Sequence, residues 1–220
     1  MGYIPEAWRT ANVTVIPKPG RVTYTEAKAY RPISLSSFLL KALERLMDRH
    51  IRDGALTRKP LHEHQHAYQS GKSCETALHN LITRVETALH HKEIALSVFI
   101  DIQGAFDNAS HTAMMSAAGR HGIDDTTRRW IHNMLLYRQI KTCLHGDYIK
   151  ADVTQRCPQG GVLSPLLWNL VVDELLTRLN DKGFYAQGYA DDVVLLITGT
   201  HRHYTSRTHA RSTKHRAAMV

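Results

Sequence analysis

The chain has 220 residues, 43% of them hydrophobic and 22% charged, which is enough to bury the core of one ordinary domain or of two small lobes and too apolar for a disordered segment. Its longest apolar runs, such as residues 94–100, fall far short of the ~20 residues of a membrane span, and residues 1–8, with Pro5 and Glu6, lack the pattern of a secretory signal. The formal charge of +8 suits a polyanionic partner, but five basic residues and no acid fall in 201–220, leaving +3 for residues 1–200.

The three cysteines, Cys74, Cys143 and Cys157, are far apart and read as buried thiols of a reducing, intracellular compartment rather than as a disulfide framework. Val13 and Val15 alternate with polar neighbours before Pro17-Lys18-Pro19-Gly20, which predicts a short strand running into a turn with a lysine at its tip. After Tyr30-Arg31-Pro32, the spacing of Phe38, Leu39, Ala42, Leu43, Leu46, Met47 and Ile51 predicts an amphipathic helix capped by Ser36 or Ser37 and stopped at Gly54. A second helix, over 74–91 and capped by Ser73, is expected to share its core.

Residues 94–100 form a β-prone run ending in Asp101, short enough to be a strand buried on both faces. Helices follow near 112–120 and 125–137, and then a hairpin of 139–144 and 148–153 around His145-Gly146-Asp147. Ser164-Pro165 supplies a cap and a first-turn proline for a helix that Gly183 stops. Strands at 184–189 and 193–197 flank Ala190-Asp191-Asp192. This mixture, with neither repeat nor long linker, predicts an α+β fold.

Asp101 and the Asp191-Asp192 pair thus end or begin apolar strands, where carboxylates are costly unless cations meet them. No lysine or arginine adjoins either site in the chain. Hard oxygen ligands suit magnesium, and two such ions would activate an attacking 3′-hydroxyl and stabilise a pyrophosphate leaving group, the chemistry of nucleotidyl transfer. His62, His64 and His66 alternate and on a strand could face a zinc ion, but with no cysteine near them a solvated loop is the preferred reading.

Tyr189-Ala190-Asp191-Asp192 resembles the signature of reverse transcriptases, and Phe99-Ile100-Asp101-Ile102-Gln103-Gly104-Ala105-Phe106-Asp107 resembles the motif carrying their first catalytic aspartate. Three further runs agree in order and spacing: Pro158-Gln159-Gly160-Gly161-Val162-Leu163-Ser164-Pro165, Tyr30-Arg31-Pro32-Ile33-Ser34-Leu35 and Ile16-Pro17-Lys18-Pro19-Gly20. The pattern is most similar to enzymes of non-LTR, LINE-type retrotransposons.

The resemblance implies a right-hand polymerase of fingers and palm at 1–198, with RNA template, DNA primer and deoxynucleoside triphosphates as partners. Two Mg2+ ions would be held mainly by Asp101 and Asp191, with Asp192 in support. It further implies that Lys18 and Arg31 hold the triphosphate, that Phe106 excludes a ribose 2′-hydroxyl, that Gln159 lies against the incoming nucleotide, and that Gly160 and Gly161 let backbone approach it. A thumb is not expected, because 199–220 is His-, Arg- and Thr-rich without apolar periodicity and reads as a disordered basic tail, so a weakly active or truncated copy is expected. The rivals are a noncatalytic RNA-binding remnant and an RNA-dependent RNA polymerase, against which Phe106 and the Pro158-Gln159-Gly160 run argue.

Overall fold

A computed structural model of the chain describes residues 3–20, 22–102, 104–136, 138–144, 147–153, 157–158 and 160–200. In chain order the elements are α1 (Glu6–Arg9), β1 (Thr10–Pro17), β2 (Tyr30–Leu35), α2 (Phe38–Asp53), α3 (Ala55–Arg58), α4 (Cys74–His90), β3 (Ile94–Asp101), α5 (Ala105–Asn108), α6 (His111–Arg120), α7 (Asp125–Leu135), β4 (Arg138–Leu144), β5 (Asp147–Val153), α8 (Ser164–Asp181), β6 (Tyr185–Tyr189) and β7 (Asp192–Gly199). The fold is α+β as expected, and it divides into two units: Met1–His62 with Gln103–Glu174, and Glu63–Ile102 with Leu175–Val220. The basic tail expected at 199–220 is corrected at its start, because Gly199 ends β7 in register with Ile94, and its residues 201–220 lie outside the described residues.

In the first unit a four-stranded sheet runs in the order β2-β1-β4-β5. β1 and β2 pair antiparallel from Pro17 opposite Tyr30 to Asn12 opposite Leu35, β1 pairs parallel with β4, and β4 and β5 form the expected hairpin. β2 was not expected. Pro32 cannot donate to a ladder, which argues against a central strand, but β2 lies at the sheet edge, where proline is tolerated. Leu40 and Ile51 of α2, Met114 of α6, Ile131 of α7, and Leu166 and Leu170 of α8 are each at most 1% exposed and supply the helical core. Ser110 and Asp124 cap α6 and α7 by accepting from Ala113 N and Thr127 N, each contributing about 1 kcal/mol.

The second unit is a three-stranded antiparallel sheet, β3-β7-β6, covered on one face by α4. α4 starts where the sequence predicts, and Ser73 and Thr76 form a reciprocal capping box that satisfies two otherwise unpaired N–H groups. Leu81 packs on Val194 and Leu196 of β7, with Val85, Ala95 and Tyr185 around them. Burying a leucine in this way contributes about 2 kcal/mol. The Gln187 side-chain amide donates to Ala77 O at 2.8 Å and ties β6 to the same helix.

Three expectations are corrected here. The strand at 94–100 is not buried on both faces: β3 is an edge strand whose Ile94, Leu96 and Ile100 are each 41% exposed, because it pairs with β7 alone and β7 takes the sheet centre. The helices expected to share one core, α2 and α4, belong to different units. Of the cysteines only Cys157 is buried, Cys74 and Cys143 being exposed.

Candidate active site

The carboxylates sit at the end of the second unit's sheet. Tyr189 pairs with Asp192, so β6 and β7 are joined by a two-residue loop of Ala190 and Asp191, with Ala190 at φ 56°. A side chain in that left-handed region costs roughly 1–2 kcal/mol. Asp101 lies directly opposite Asp192, which puts their Cα atoms about 5 Å apart on one face of the sheet. Ile102 N donates to Asp191 O at 3.1 Å and fixes the end of β3 against the loop.

All three aspartates are exposed, so the cost expected from burial is not what shapes this site. Like charges opposite one another remain unfavourable, and among the described residues no ion pair joins Asp101, Asp191 or Asp192 to a cation. Nor does any group of three or more His, Cys, Asp or Glu side chains converge as a metal site among the described residues. Strand register places the carboxylates, and their side chains are not drawn together. Hard oxygens without a protein cation fit magnesium, which takes a few carboxylates and completes its shell with water and phosphate oxygens.

The sequence missed the segment that buttresses this hairpin. Residues 64–66 run parallel to β6: Gly188 N donates to His64 O at 3.0 Å and His66 N donates to Gly188 O at 2.9 Å. A Cβ on Gly188 would stand 2.6 Å from Gln65 Oε1 and 3.2 Å from Leu176 Cδ1, so any larger residue there would force the buried Gln65 side chain to shift. The solvated-loop reading of the alternating histidines is therefore corrected. His66 is 2% exposed, and its ring is held below the usual imidazole range, first by burial and then by Lys72 and His64. Two residues on, Tyr68 adopts φ 57°, and burial followed by the nearby Asp191 raises its phenol.

The other predicted residues belong to the first unit. Lys18 follows the Pro17–Tyr30 pair and Arg31 stands opposite Ile16, so both occupy one end of the β1–β2 hairpin. Lys18 N donates to Ala29 O and Tyr24 Oη donates to Lys18 O, each a well-formed bond that shapes the turn. Phe106 lies in α5, with its ring centroid 6.0 Å from that of Trp168 and its carbonyl accepting from Cys157 N. Gln159 lies outside the described residues.

Gly160 adopts φ 99°, and a Cβ there would stand 2.9 Å from Ser34 O of β2, while one on Gly161 would meet Ser164 Oγ at 2.5 Å. Both glycines thus have packing reasons within the protein itself. A second group that the sequence missed is Glu44 of α2, 1% exposed, whose Oε2 accepts from Val162 N at 2.5 Å and Leu163 N at 3.2 Å. Burial raises the Glu44 carboxyl, with the two N–H groups and Arg138 opposing, and burial likewise lowers the Arg138 guanidinium. The signal was present: Leu40, Glu44 and Ile51 share the buried stripe of one helix, where a carboxylate needs partners.

The family model described as "Reverse transcriptase (RNA-dependent DNA polymerase)" matches residues 16–219. A Pol polyprotein from a type-1 retrotransposable element R1 of Bradysia coprophila is 30% identical over 91% of this chain and 19% of its own length. A probable RNA-directed DNA polymerase from transposon BS of Drosophila melanogaster is also 30% identical, over 89% of this chain and 22% of its own. The chain spans about a fifth of the length of these curated relatives. Among solved structures, apo telomerase from Candida tropicalis matches with a TM-score of 0.61 at 10% identity, covering 96% of this chain and 42% of that one, which establishes a shared fold.

Proposed function

Because this chain belongs to the reverse transcriptase (RNA-dependent DNA polymerase) family, we propose that it carries the nucleotidyl-transfer centre of a non-LTR retrotransposon's RNA-directed DNA polymerase. Its substrates are an RNA template, a DNA primer with a free 3′-hydroxyl and deoxynucleoside triphosphates. The observation that carries the reading is the register of Asp101 opposite Asp192 beside the strained loop bearing Asp191.

Asp101 and Asp191 would hold two magnesium ions, with Asp192 in support. When bound, the ions supply positive charge that favours ionisation of the primer hydroxyl and offsets charge on the pyrophosphate. The protein's own residues do the rest. The backbone bond from Ile102 N to Asp191 O keeps two of the carboxylates in fixed relation without restraining their side chains. Lys18, a point charge, and Arg31, a planar fork, bind the triphosphate from one end of the β1–β2 hairpin. Gly160 shapes the loop beside β2, Gln159 contacts the nucleotide, and Phe106 excludes a ribose 2′-hydroxyl. Such substrates place the reaction inside the cell, and no helix among the described residues is long and apolar enough to cross a membrane.

Primer extension on an RNA template tests the reading. The parent should incorporate deoxynucleotides in magnesium, Asp191→Asn should not, and Phe106→Val should raise the ratio of kcat/KM for ribonucleotides over deoxynucleotides. Extension that survives Asp191→Asn would dismiss the assignment.

A further inference from the structure

Several residues that the proposed function assigns to the nucleotide border one loop of the first unit, which starts at Cys157 and runs into α8. At its start Cys157 N donates to Phe106 O at 2.8 Å. Gly161 N donates to Pro158 O at 3.0 Å and Ser164 Oγ donates to the same oxygen at 2.7 Å, closing a turn from Pro158 to Gly161. A Cβ on Gly160 would stand 2.9 Å from Ser34 O, so the turn lies against β2, the strand that bears Arg31.

Glu44 of α2 reaches this loop from the core, its Oε2 accepting from Val162 N at 2.5 Å and from Leu163 N at 3.2 Å. At 1% exposure a carboxylate is a costly acceptor. A hydroxyl or amide oxygen would take the same N–H groups with less desolvation, but charge-assisted bonds are roughly twice as strong as neutral ones. An ion pair with Arg138 does not account for the carboxylate. That guanidinium is buried too and lies near enough to lower the Glu44 carboxyl against the larger effect of burial, yet Glu44 Oε1 and Arg138 Nη1 each lack a hydrogen-bond partner among the described residues. The hydrogen bonds that Glu44 does accept go to the loop.

We propose that Glu44 is a positioning residue for nucleotide addition. It does not touch the substrate and sets the affinity for the incoming deoxynucleoside triphosphate by fixing the turn from Pro158 to Gly161 beside Phe106 and β2. The role of the nucleotide rests on the polymerase reading above, whereas the hold on the loop does not. Releasing such a loop removes binding shared by ground state and transition state, which raises KM and spares kcat.

The test compares two double variants of the full chain. Both carry Arg138→Met, because a buried charge left without its partner destabilises more than a pair replaced by apolar side chains of similar volume. Glu44→Met then removes the acceptor, and Glu44→Gln returns an uncharged one. By hydrogen exchange, the Val162 and Leu163 amides should exchange at least tenfold faster with methionine at 44 than in the parent, with most of the protection returning with glutamine. In single-nucleotide primer extension, the methionine variant should raise KM for the deoxynucleotide at least tenfold with kcat within threefold of the parent, and the glutamine variant should bring KM back to within threefold. A loss confined to folding would instead lower the active fraction, and with it the apparent kcat, at unchanged KM. Unchanged KM with methionine, a KM that glutamine does not bring back, or unchanged exchange at Val162 and Leu163 overturns the proposal. A parent that extends nothing, or Asp191→Asn extending as well as the parent, refutes the polymerase reading, and the exchange result then still decides whether Glu44 holds the loop.

Discussion

The two units position their polar groups in opposite ways. In the first, the loop before α8 is held by a buried side chain, Glu44, whose carboxylate takes two backbone N–H groups. In the second, Asp101, Asp191 and Asp192 are placed by ladder register and a two-residue turn, and their side chains are exposed. A group that holds the fold costs stability when removed, while a group that the fold merely presents costs function and leaves stability alone. If the proposed function holds, chemistry and scaffold should therefore be separable by mutation in this chain.

The largest effect expected from that contrast is Asp101→Asn. It should lower the extension rate by ~10³, about 4 kcal/mol of transition-state stabilisation, and leave Tm unchanged or slightly raised, because one of two facing charges is gone. Thermal unfolding beside primer extension checks both halves, and a marked drop in Tm would break the contrast. Next is Glu44→Ala, expected to destabilise by about 3 kcal/mol in urea unfolding, since it strands the buried Leu163 N–H and the half-buried Val162 N–H and leaves Arg138 without its countercharge. Loss of activity at full stability would instead make Glu44 part of the chemistry.

How much of this was legible depended on whether the signal was local. The helices α2, α4 and α8 were readable because apolar spacing and flanking Ser or Gly residues state them within one stretch of chain. The edge position of β3 was not: a run of seven residues, all apolar but Ser97, reads alike whether one neighbour strand or two will cover it, and only the pairing with β7 decides. The carboxylates were legible through their motifs, the Gln65–Gly188 bridge not at all, because it joins segments far apart by backbone bonds that leave no hydrophobic pattern. Glu44 lay between these cases, a charge on an apolar stripe whose partners come from more than a hundred residues away.

Gly188→Ala sharpens the same comparison on the side of the second unit. The new Cβ meets Gln65 Oε1 at 2.6 Å and Leu176 Cδ1 at 3.2 Å, and Gln65 is fully buried, so about 2 kcal/mol of stability should be lost. A neutral result in urea unfolding would mean that residues 64–66 do not hold β6. The smallest effect is a pH dependence. The His66 pKa is lower folded than unfolded, so its contribution is complete above the unfolded value of 6.5 and is lost as pH falls from there through the folded value. Tm measured from pH 7.5 down to 5.5 should therefore fall less in His66→Phe than in the parent.

Ala190 at φ 56° sets the repertoire of side chains that the turn can host. Glycine would enter without steric cost and relax the loop, and asparagine would be accommodated, since both visit this conformation readily. Valine or isoleucine would crowd the backbone at Cβ and push the chain toward an extended conformation, opening the turn that holds Asp191 beside Asp192. Libraries varied at this one position would thus be sieved by backbone geometry before any question of catalysis arose, with survivors drawn from the smallest and most locally hydrogen-bonding residues.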